Sequence, residues 1–150
     1  MDAAQRGAHE PSRPAEVWVL LIGTLFLSLT ALIGGFYLVR DPTGQSIGLV
    51  MAVDLSHLDG TPFTTYTIPG LILVVFLGLY PLAVLYGQLT RRSWAWSGSL
   101  LMGIVLLVWI VVEVYLIGYI SPLQPAYGLV GIALVALCLL PSVRRYYREM

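Results

Sequence analysis

From Val17 to Val39 the chain runs 23 residues without a charge, and about 20 residues rising ~1.5 Å each are enough to cross the hydrocarbon core of a bilayer. Comparable apolar runs follow at 68–89, 94–120 and 126–143. A run of that length inside a soluble domain would need a larger core than this chain can build. The composition agrees: 58% of the residues are hydrophobic and 11% charged, where soluble domains carry about half and about a quarter. The predicted fold class is therefore all-α: a polytopic bundle of four transmembrane helices over 17–143, with one larger extracytoplasmic loop, 40–67, between helices one and two. The first run is too long for a signal-peptide core of about 7–15 residues, and no small-residue cleavage site follows it, so it is expected to be retained.

Orientation comes from the arginines. All eight basic residues are Arg. With four spans, Arg6, Arg13, Arg91, Arg92, Arg144, Arg145 and Arg148 share one side and Arg40 stands alone on the other. That asymmetry predicts both termini in the cytoplasm and a multi-pass protein of the plasma (inner) membrane. Residues 1–16 (MDAAQRGAHEPSRPAE) are polar and Pro-containing and are expected to form a disordered cytoplasmic N-terminus. Residues 144–150 are expected to be a basic cytoplasmic tail meeting anionic headgroups. The formal net charge is zero and by itself says nothing about nucleic-acid or acidic partners; no nucleic-acid partner is expected. The lipid bilayer is the first partner, with other membrane subunits or a homo-oligomer beyond it.

Within the spans, proline and small residues mark local structure. Pro69 suits the first turn of helix two. Pro81 lies in its interior, beside Gly78 and Tyr80, where it removes a backbone hydrogen bond and predicts a kink. Helix three opens on the interfacial aromatics Trp94 and Trp96 and is expected to stop at Ser121-Pro122; the short SPLQPA connection makes helices three and four an antiparallel hairpin. Helix one carries a small-residue stripe, Thr24, Ser28, Ala31 and Gly35, on one face. Such stripes allow close backbone approach, within one subunit in the first reading and across a homodimer seam in the second.

Glu113, in WIVVEVYLIG, is the one ionisable acid or base inside a predicted span. A carboxylate in hydrocarbon is costly, so Glu113 is expected to face the bundle or a cavity and to be protonated or paired. Trp109 is its neighbour one turn back. Ser28, Thr30, Tyr37, Tyr80 and Tyr127 are candidate donors at similar depths. Three roles compete: a hydrogen-bonded clamp, an anchor for the polar group of a lipid-like or other small ligand, and a carrier of protons or cations.

In the exterior loop, Asp41-Pro42-Thr43-Gly44 reads as a turn leaving helix one, with Asp41 able to cap it or pair with Arg40. The segment DLSHLDG brings Asp54, His57 and Asp59 together. Oxygen and imidazole ligands of this kind can hold a divalent cation, but the spacing fits no EF-hand, and a solvated turn around Asp-Gly is the preferred reading; no metal site is assigned. The apolar stretch Ser46–Val53 is too short to span and should lie along the interface or tuck over the bundle. Cys138 stands alone in an apolar run, which excludes a disulfide, a CxxC pair and a thiolate zinc site within the chain. There is no GxSxG, HExxH or P-loop pattern, and neither histidine, His9 nor His57, lies in a span. No catalytic residue and no cofactor is expected.

From Gly34 the chain reads GGFYLVRDPTGQSIGL and then, from Leu55, LSHLDGTPFTTYTIPGL. This resembles small bacterial four-helix membrane proteins in which a Gly-Gly helix end leads into a DP[ST]G turn and a [ST]PF…PG segment starts helix two. The resemblance covers about a quarter of the chain. It implies a four-helix bundle with a structured exterior cap, and no activity. The expected function is non-enzymatic: binding, as an accessory or assembly subunit of a membrane complex or as the holder of a lipophilic ligand. A small oligomeric transporter using Glu113 is the alternative.

Overall fold

The computed structural model describes residues 12–149. Among these the chain is all-α, without a strand. Helix α1 spans Ala15–Arg40, α2 Thr67–Leu89, α3 Ala95–Ile117, α4 Leu123–Leu139 and α5 Pro141–Arg148. Helices α1, α2 and α3 are each long and apolar enough to cross a membrane, and α4 with α5 makes a fourth such segment only as a pair bent by 61°. Large apolar side chains, among them Ile22, Val111 and Leu129, stand out from the bundle. An outer surface of that kind would be costly in water, at about 25 cal/mol per Å², and suits hydrocarbon. The fold defines a helical membrane protein.

Several boundaries differ from the sequence expectation for identifiable reasons. Helix α1 begins at Ala15 behind Pro14, so residues 15 and 16 are helical; the rest of the expected disordered N-terminus up to residue 11, with Arg6 and His9, lies outside the described residues. Helix α3 stops at Ile117, short of Ser121-Pro122, because Gly118 takes φ 75° and turns the chain out of the helix. Helix α4 starts at Leu123 and ends at Leu139, where extended Leu140 (ψ 136°) breaks it. Pro141 then opens α5 at a first-turn position that needs no N–H. Arg144, Arg145 and Arg148 are thus the outer face of a helix rather than a tail, while Val143, Tyr146 and Tyr147 are buried.

The expected kink at Pro81 takes the form of a π-helical segment, Leu73–Leu79, ahead of the proline. Its last turn carries Tyr80 N–H to the Val75 carbonyl, one residue further back than in an α-helix. Helix α1 packs along all of α2, and its stripe lies in that contact. Thr24, Ser28, Ala31 and Gly35 are all buried within the subunit, which leaves none of the stripe outside for a homodimer seam. Ser28 Oγ donates to the Gly78 carbonyl at 2.8 Å, within the π turn. A Cβ on Gly35 would lie 2.6 Å from Val74 and 2.8 Å from the Gly70 carbonyl oxygen, so the two backbones meet here at a distance no other residue permits.

A second polar tie joins three helices. Gln88 is fully buried in α2, and its Nε2 donates to Thr24 Oγ1 on α1 at 3.1 Å and to Ser99 Oγ on α3 at 2.8 Å. Each hydroxyl in turn donates to its own helix, Thr24 to Leu20 and Ser99 to Ala95. The same end of the bundle gathers the arginines. Arg13 donates to the Leu89 carbonyl, Arg91 lies over Tyr146, and Arg144 lies over Trp96.

Candidate functional site

At the opposite end, the loop between α1 and α2 folds down onto the bundle. Asp41 organises its first turn. One carboxylate oxygen accepts from the Thr43 hydroxyl at 2.6 Å and the Thr43 N–H, and the other from the Ser46 N–H at 2.8 Å. These donors, the Thr43 hydroxyl first, hold the Asp41 carboxyl down to about 2, against an ordinary 3.8. Asp54 starts a 3₁₀ turn, Leu55–Leu58, by accepting from Ser56 N–H, and that bond lowers its pKa. His57 Nδ1 accepts the Asp54 N–H in return. Asp54 and His57 are therefore the two halves of a capping box, and Asp59 is an exposed residue ahead of Gly60. Among the described residues no three His, Cys, Asp or Glu side chains converge on a metal position. Tyr66 locks the loop from within, its hydroxyl donating to the Asp54 carbonyl and its N–H to the Pro42 carbonyl. The apolar stretch Ser46–Val53 splits its faces: Ile47 is buried and Met51 and Val53 turn inward, while Leu49 is fully exposed.

Beneath this cap lies a cavity of about 270 Å³. Thr30 and Gly34 of α1, Leu73 and Leu77 of the π segment, Leu106 and Ile110 of α3 and Tyr127 of α4 form its walls, with Met51 and Val53 as the roof. A second chamber of about 140 Å³ lies against Leu58, Phe63 and Tyr66. The two share Met51, Val53, Leu73, Trp109 and Glu113, so Glu113 stands on the wall between them. The widened π turn positions Leu73 on both chambers, in line with the tendency of such segments to occur at functional sites.

The polar partner of Glu113 is Gln124, which the sequence reading did not select. Gln124 is 2% exposed, and its Nε2 donates to Glu113 Oε1 at 3.3 Å and to the Gly118 carbonyl at 3.0 Å. Its Oε1 accepts from Ile120 N–H and Ser121 N–H. One amide thus holds the α3–α4 connection in shape and presents a fixed donor to the carboxyl. Ser121 also lines the cavity, its hydroxyl capping Leu123 N–H. The available signal was a long amide in a connection only 11 residues from an intramembrane acid, a group that cannot be buried without partners.

The sequence candidates divide. Trp109, Thr30 and Tyr127 line the cavity with Glu113. The Thr30 hydroxyl already donates to the Phe26 and Leu27 carbonyls, and the Tyr127 ring stacks on Phe26 with centroids 6.2 Å apart. Ser28 and Tyr80 do not line the cavity. Ser28 is committed to Gly78, and Tyr80 donates to the Gly98 carbonyl on α3 at 2.9 Å. Tyr37 is exposed beside Phe36. Depth along the normal placed these three near Glu113; the helix face they occupy takes them elsewhere.

Comparison with protein-family models, curated proteins and solved structures finds no match to this chain. The class of the site rests on its geometry: an apolar, loop-covered cavity in a membrane bundle, with one carboxyl and one amide at its polar wall.

Proposed function

We propose that this chain is a four-span protein of the plasma membrane, with both termini cytoplasmic, that acts by binding a lipophilic ligand in the Glu113 cavity. The single observation that carries the reading is the cavity itself. It is near the lower end of the ~300–1,000 Å³ usual for small-molecule sites, walled by apolar and aromatic groups, with a few convergent polar atoms. A role confined to clamping the bundle would favour close packing around Glu113. The arginines gathered at the end away from the loop support the proposed orientation. The resemblance of residues 34–71 to small four-helix membrane proteins supports a structured exterior cap over the site.

Native mass spectrometry of the protein, extracted gently from its own membrane, tests this reading. The expected spectrum is a monomer or small homo-oligomer carrying a discrete extra mass. Bare protein would count against ligand holding. A heavy assembly with a defined second protein would make it an accessory subunit instead.

A small proton- or cation-coupled transporter using Glu113 is the second reading. The π segment favours it, since a break in the regular ladder beside the polar site is a recurrent transporter feature. Its mark is loss of solute flux in Glu113→Gln with folding intact.

A further inference from the structure

We infer that the ligand is a lipophilic amine, an ammonium head on a slim apolar tail. This rests on the ligand-holding reading above and adds the chemistry of what is held.

The argument is a count of hydrogen-bonding valences at the polar wall. Both N–H groups of Gln124 are engaged, on Glu113 and Gly118, and its oxygen takes two backbone N–H groups. It has nothing left for a ligand. Glu113 is the reverse case. Oε1 accepts one long bond from Gln124 at 3.3 Å, and the Trp109 indole N–H is the other donor beside the carboxyl among the described residues; both are neutral. The lining of both chambers contains no Lys, Arg or His. An acceptor-rich carboxyl is therefore placed in an apolar cavity without a counter-charge from the protein.

Burying such a group without a counter-charge is costly, and a cation with N–H donors removes most of that cost. A primary ammonium supplies both the charge and the donors in one compact head. Trp109 and Tyr127 add aromatic rings on the same chamber, and ring faces attract cations. Leu73, Leu77 and Ile110 accept the tail. A fatty acid offers the opposite match, placing a second acceptor-rich group against Glu113. An alcohol falls between, with one donor and no charge.

Calorimetric titration of the protein in zwitterionic lipid nanodiscs separates these classes, with empty nanodiscs subtracted to remove partitioning. The probes are octylamine, octanol and octanoate, equal in tail and different in head. Octylamine is expected to bind about tenfold or more tighter than octanol, because charge-assisted hydrogen bonds are the stronger class; octanoate is expected to show no saturable binding. In Glu113→Gln, octylamine should fall to the affinity of octanol. The wild-type ranking decides the question even where that variant folds poorly. Octanol or octanoate equalling octylamine would overturn the amine assignment and leave ligand holding intact. Absence of saturable binding by all three would overturn both.

Discussion

Gln88 and Glu113 are both polar groups embedded in the bundle, and the protein treats them in opposite ways. Gln88 is surrounded: its two N–H groups go to Thr24 and Ser99, three helices close on it, and it is fully buried, with its Oε1 taking no hydrogen bond among the described residues. Glu113 has two neutral donors beside it, Gln124 and the Trp109 indole, and stands on the wall of two chambers. The amide serves packing, since it fastens helices whose apolar faces gain little from one another in lipid. The carboxyl serves little packing, and the room kept beside it is what marks a site. In a membrane protein, a buried polar side chain points to function when open space adjoins it.

The difference can be broken experimentally, beginning with the seam that both sites depend on. Gly35→Ala forces a methyl to within 2.8 Å of the Gly70 carbonyl oxygen. A loss of about 1–3 kcal/mol is expected from overpacking of this kind, read as a lowered midpoint for unfolding in mixed micelles. Gln88→Ala comes next. It removes two interhelical hydrogen bonds, worth about 0.6 kcal/mol each on average in membranes, and leaves a small void, for a total of about 1–2 kcal/mol. Glu113→Gln is expected to lower stability by less than Gln88→Ala does, because the amide keeps an oxygen to accept from Gln124 and Trp109 and removes an uncompensated acid. An Glu113→Gln midpoint as low as that of Gln88→Ala would erase the contrast and make Glu113 a clamp.

The smallest effect belongs to the cap. Asp41 has its carboxyl held at about 2 in the folded loop against 3.8 for the free group. A folded pKa below the unfolded one means that the contribution is complete above about 3.8 and fades as pH falls towards about 2. Loop protection, followed by amide hydrogen exchange of Thr43 and Ser46, should decline across that window. In Asp41→Asn the decline should be absent.

The spans were legible because hydrocarbon imposes a simple rule on length and charge, and Val17–Val39 obeys it without interruption. The stripe Thr24, Ser28, Ala31 and Gly35 was legible too, since helical spacing alone puts small residues on one face. What the spacing left open was the surface they meet, which turned out to be the π turn and Gly70 of α2. Pro81 indicated where α2 would depart from regularity, while its π form, with Ser28 donating to the Gly78 carbonyl, was not readable from the proline alone. The capping pair Asp54 and His57 lay inside the segment weighed as a cation site, and the turn reading is the one the hydrogen bonds support. The partner of Glu113 was not legible. Gln124 reaches it only because Gly118 ends α3 early and reverses the chain, a tertiary consequence of one φ angle. Tyr80 and Ser28 face away from the cavity for a related reason: position along the membrane normal is readable from sequence, but the direction a side chain faces depends on how the helices pack.

The central claim is that the space beside Glu113 is a binding site, and occupancy in the native membrane tests it most directly. Wild type, Glu113→Gln and Gln88→Ala should be extracted in parallel from their own membranes and weighed intact. The account predicts a discrete added mass on wild type and on whatever Gln88→Ala protein remains folded, and its loss from Glu113→Gln. The same added mass on all three proteins, or on none, would contradict it.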